Sequence, residues 1–146
     1  MKWQAAGGGG KVLQVINATY GTETGSSSST FADTNTTATI TPSAATSKIL
    51  VLVSQTGIIK VDTNTNGTFK LLRGATDLIK FEDAAGDTNS TAKNGIGGTS
   101  VCYLDSPNTT SATTYKTQFR SGGNTGFIYI NNNATFSTIT LLEIGA

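Results

Sequence analysis

Three carboxylates fall close together in Phe81-Glu82-Asp83-Ala84-Ala85-Gly86-Asp87-Thr88-Asn89, and they are the first candidates for chemistry. Two carboxyl groups at the right separation can run glycoside hydrolysis, and clustered oxygens can hold calcium. The spacing matches neither an EF-hand nor a repeated calcium motif. A solvated loop after a strand accounts for it better. A glycan-cleaving site would need Asp105 to join Glu82 and Asp83 in one cleft.

Other routes to catalysis fare worse. The chain has no histidine, so no imidazole is present to activate one of its many serines and threonines. Lys48 could serve a serine only if desolvated beside it, and before Ile49 it reads as a solvated strand end. Gly7-Gly8-Gly9-Gly10-Lys11 has Ala5 where a phosphate loop has its first glycine, and Val12 where it has Ser or Thr. It also precedes a strand, whereas a phosphate cradle opens a helix. Cys102 is the single cysteine, and within Val101-Cys102-Tyr103-Leu104 it is expected to be a small apolar filler. Asn-x-Thr triplets such as Asn17-Ala18-Thr19 follow from composition and carry no glycosylation argument. Tyr103, Tyr115, Phe119, Phe127 and Tyr129 could form a sugar-stacking platform, but at alternating strand positions aromatics more often fill cores or interfaces. No catalytic residue, metal ligand or cofactor is expected.

The elements that must position these residues are strands. Thr, Ser and Asn make up roughly a third of the chain, well above ordinary usage. Threonine suits a half-exposed strand, and Ser, Asn and Gly supply turns. Strands are predicted at 11–16, 31–41, 49–53, 57–61, 68–73, 78–82, 101–104, 114–120, 126–130 and 137–144. Ile49 to Val53 is continuously apolar and reads as a central strand buried on both faces. Asn66-Gly67 reads as a hairpin turn between its neighbours. No segment sustains a 3.6-residue period. This predicts an all-β chain: a single antiparallel β-sandwich of jelly-roll type over 11–146, with a short extended Gly-rich arm over 1–10. Trp3, the only tryptophan, is the expected anchor of that arm on another chain.

Charge narrows the partners. A net charge of +1 with 13% charged residues gives no basic patch for nucleic acid. Little charge also means little colloidal repulsion, so ordered self-association is expected. No stretch has signal-peptide character or approaches the ~20 apolar residues of a membrane span. Neither export by such a signal nor membrane insertion is expected.

Four stretches carry a resemblance: Gly9-Gly10-Lys11-Val12-Leu13-Gln14-Val15, the run from Ile40-Thr41-Pro42-Ser43 to Ser47-Lys48-Ile49-Leu50-Val51, the run from Leu104-Asp105-Ser106-Pro107 to Thr114-Tyr115-Lys116, and the ending Ser137 to Ala146. Together they resemble β-rich virion structural and tail-fibre-like proteins of tailed bacteriophages, often from aquatic environments. The resemblance implies a non-enzymatic virion protein made in the bacterial host cytoplasm, and the low charge and thin apolar core lead to the expectation that it assembles as a homotrimer. A tail-fibre or receptor-binding tip is slightly favoured over capsid decoration, with a free carbohydrate-binding module as a different class. The arm would contact other virion proteins, and a host-surface glycan would be a further partner. Residues around Pro42 and Pro107 are expected to be scaffold signatures.

Overall fold

The computed structural model describes residues 10–123 and 126–145, so the anchoring role expected of Trp3 lies outside the described residues. The chain is all-β. The described residues form ten strands, β1 (Val12–Tyr20), β2 (Thr24–Ser26), β3 (Ala32–Ile40), β4 (Lys48–Lys60), β5 (Asn66–Arg73), β6 (Thr76–Ala85), β7 (Asn94–Asp105), β8 (Thr113–Gly122), β9 (Ile128–Ile130) and β10 (Ser137–Ile144). They form two antiparallel sheets. The first runs β1-β10-β4-β7, with β9 and β2 continuing beside the far end of β4; the second runs β3-β8-β5-β6.

Alternation explains both layers. Along β8 and β10 every second residue is buried, and Tyr115, Phe119, Ile139 and Leu141 are fully enclosed between the sheets. The core has two apolar clusters. One gathers Ile40, Ile49, Val51, Leu71, Tyr115 and Leu141; the other gathers Ile58, Phe69, Phe119, Ile128 and Ile130. Phe69 and Phe119 stack across β5 and β8 with ring centroids 6.0 Å apart.

A polar layer divides the clusters, because Gln55 lies between Val53 and Ile58 and Thr117 between Tyr115 and Phe119. The Thr34 and Thr117 hydroxyls meet at 2.5 Å, Thr117 donates to Gln55 Oε1 at 3.2 Å, and Gln55 Nε2 donates to Ser137 Oγ at 2.6 Å. Ser137 in turn donates to Asn131 Oδ1 at 2.5 Å. Both sheets are thereby tied through groups that water does not reach. Thr117→Val removes the donor to Gln55 and leaves a buried amide oxygen without it. The expected cost is about 1–3 kcal/mol, read as a lower urea midpoint at unchanged slope.

Several local expectations are corrected. Residues 57–61 are not a separate strand: β4 continues as far as Lys60, bulged at Gly57. Gly57 has φ +60°, and a Cβ there would lie 2.2 Å from Thr135 Oγ1, so only glycine lets the turn before β10 close over the bulge. Asn66-Gly67 is no hairpin turn, for β4 and β5 belong to different sheets and these residues open β5. The tight hairpin is β5–β6, where Arg73 pairs with Thr76 around Gly74 at φ +57°. Over Ile49 to Val53, β4 is buried on one face only, since Leu52 is 38% exposed; both faces are buried only at its far end, Ile58 to Lys60.

Candidate functional site

The carboxylates suspected of chemistry are not brought together. Asp83 accepts from Thr68 Oγ1 and Lys80 Nζ at the surface, and Glu82 accepts the Asp83 backbone N–H. Glu82 sits beside Phe69 of β5, whereas Asp105 bonds Arg73, four residues and roughly 13 Å further along that strand. Among the described residues, Asp87 included, no group of three or more His, Cys, Asp or Glu could hold a metal ion. Lys48 is an exposed strand end, as expected.

Asp105 and Glu143 instead anchor one end of the sandwich. Glu143, Ile49 and Asp105 form one row across β10, β4 and β7, and Gln14 of β1 pairs with Glu143. The Glu143 side chain is buried and accepts Ser43 N–H at 2.7 Å, Ser43 Oγ at 2.6 Å and Gln14 Nε2 at 2.6 Å. Burial pushes its carboxyl up. Donors from Ser43 and Gln14, with the nearby Ser47 hydroxyl, outweigh that and hold it at about 2. Gln14 also donates to Thr41 O at 2.8 Å. Arg73 Nη1 lies 2.9 and 2.7 Å from the two Asp105 oxygens, and the Tyr115 hydroxyl donates to Asp105 Oδ2 at 2.6 Å. Burial first, then the adjacent carboxylate, push the Tyr115 phenol well above its ordinary value. Residues from 9–15, 40–51, 104–116 and 137–146 thus meet in this row and its bonds. They fasten loops to strands.

The aromatics divide similarly. Tyr115 and Phe119 are core, and Tyr103 is half-buried against the first cluster. Phe127 and Tyr129 do meet, with centroids 5.3 Å apart and planes 18° from parallel. Each turns a face to the other, so they do not make a coplanar platform.

The two outer faces of the sandwich differ sharply. The second sheet carries ion pairs outward, Lys116 with Asp33 at 2.9 Å and Lys70 with Asp77 at 2.8 Å. On the first sheet, one register row reads Val15, Leu142, Leu50 and Leu104 across β1, β10, β4 and β7. The next reads Asn17, Thr140, Leu52 and Cys102, and the third Thr19, Thr138, Ser54 and Ser100. Leu13 and Ile144 close the apolar end, where Lys48 pairs with Ile144 and the exposed Lys11 lies beside Gly145. Val15 is 55%, Leu104 51% and Leu13 48% exposed. Cys102 is exposed on this face, correcting its expected role as a filler.

Sequence reasoning missed this face. Its signal was present in the continuous apolar run of β4, whose even and odd residues face different partners. Four strands by three to four rows cover a footprint of about 500 Å², or about 1,000 Å² over two partners, near the threshold for a specific interface. A face almost without charge presents nothing for a copy of itself to repel. No protein-family model matches the chain, and no curated protein is significantly similar to it.

Proposed function

We propose that this chain is a non-enzymatic structural protein of a tailed-phage virion, a jelly-roll subunit that assembles as a homotrimer. The uncharged outer face of the first sheet carries the assembly part of this reading, with second copies of the chain as its occupant. The jelly-roll topology is supported by strand order: omitting β2 and β9, the eight remaining strands pair as first-eighth-third-sixth and second-seventh-fourth-fifth. The virion assignment rests on the sequence resemblance. A tip or fibre role is favoured slightly over capsid decoration, and residues 1–10 with Trp3 are the proposed link to other virion proteins.

Light scattering across a dilution series should report about three chains. Single chains at micromolar concentration would overturn the assembly reading. Deleting residues 1–10 should leave that mass per chain ratio intact while abolishing incorporation into particles. Normal incorporation of the truncated chain would remove the arm from the proposal.

A further inference from the structure

The outer face of the second sheet, opposite the uncharged one, is hollowed into an open groove of about 530 Å³, within the range of small-ligand sites. Its floor is Leu72 of β5 and its rim includes Gly74 and Ala75 of the β5–β6 turn. Lys70, Asp77, Lys116 and Gln118 line its sides. These polar groups are already held in place. Lys70 Nζ lies 2.8 and 3.0 Å from the Asp77 oxygens and 4.2 Å from the centroid of the Phe31 ring. Asp33 accepts from Lys116 Nζ at 2.9 Å and from Gln118 Nε2 at 2.7 Å. Partial burial raises the Asp33 carboxyl, and its two donors outweigh that and hold it charged.

We propose that this groove binds a neutral oligosaccharide. The argument is one of matching donors and acceptors. Each ammonium has three protons and each carboxylate about four lone-pair sites, so the ion pairs leave both kinds unused along one surface. A sugar hydroxyl is donor and acceptor at once, and can bridge such a pair without separating it. An anionic ligand would face Asp77 and a Lys116 already neutralised by Asp33 behind it, and a cationic one Lys70 and Lys116, so neither is well matched. The exposed Ala75 methyl gives the apolar C–H face of a pyranose a place to rest, above Leu72, which is itself only 4% exposed. Because the partners are fixed before binding, less side-chain entropy is lost on closing around the sugar.

The inference deepens the receptor-binding reading by naming the ligand class, and rests on that reading only for where the ligand is met. Saturation-transfer NMR on the assembled protein should detect binding of one or more neutral trisaccharides from a panel of maltotriose, cellotriose and N-acetylglucosamine trimer. A trimer of galacturonic acid should bind more weakly. Lys116→Met and, separately, Ala75→Trp should each weaken the signal by about tenfold or more. Ala75 is exposed on a turn, so its variant leaves the core untouched. No transfer to any neutral trisaccharide, preference for the acidic trimer, or binding indifferent to Ala75→Trp would overturn the proposal. Since both variants leave the uncharged face intact, a silent groove in a normal trimer counts against this inference alone.

Discussion

Lysine at both Val15 and Leu104 should turn the assembled protein into single folded chains. Both side chains are about half exposed in the isolated subunit and point away from the core, so neither lysine disturbs the packing between the sheets. In the assembly each would bury. Only the exposed half of each side chain is left to bury, so removing these aliphatic contacts forfeits about 1 kcal/mol apiece, and an unpaired ammonium in the interface costs several kcal/mol more. Even about 3 kcal/mol weakens association by roughly a hundredfold, enough to dissociate a micromolar complex. Far-UV circular dichroism should stay unchanged while the mass in solution falls to one chain. An unaltered trimer would mean that the contact surface lies elsewhere.

Glu143→Ala should have the largest effect on folding. Its carboxylate is the common acceptor for Ser43, which begins the approach to β4, and for Gln14 on the edge strand β1. Without it a hydroxyl, an amide and a backbone N–H lose their partner, although the exposed Ser43 and half-buried Gln14 can recover part of this from water. Hydrogen bonds to a charged group are typically worth about 1.5–3 kcal/mol, and three end on this carboxylate, so the loss is a large share of the stability of a domain this size. Glu143→Gln should cost less, because an amide oxygen can still accept from Ser43. Acid should mimic the effect. The folded carboxyl is depressed from 4.5 to about 2, so its contribution is fully present above about pH 4.5 and is lost as pH falls towards 2. In Glu143→Gln that part of the acid limb should flatten. An identical pH profile in both proteins would show that Glu143 does not anchor this end.

Strand content was legible wherever one face is enclosed. Ser137–Ile144 is read from alternation with the same bounds that the structure has, and Tyr115 and Phe119 fall on the buried face as predicted. The misreadings have particular causes. Ile49 to Val53 is apolar at every position, but the inward residues meet Leu71 and Tyr115 while Leu50 and Leu52 face out; letters alone do not distinguish a core from an uncovered face. β7 begins at Asn94 within a stretch expected to be loop, because Gly95, Gly97 and Gly98 carry no side chain to reveal the alternation. Asn66-Gly67 has the composition of a turn but lies where the chain enters the other sheet, a choice made by tertiary packing. The anchors were less visible still. Glu143, Ser43 and Gln14 are far apart in sequence, and only the β1-β10-β4 pairing makes them neighbours.

The uncharged face contains the chain's only cysteine, which makes one measurement decisive. Native mass spectrometry after a brief maleimide exposure reports the number of chains and the number of thiol adducts in the same spectrum. Burial of this face against second copies predicts a trimer with Cys102 unmodified, and rapid labelling once Val15 and Leu104 are both lysine. A trimer that carries three adducts, or single unassociated chains of the unaltered protein, would contradict it.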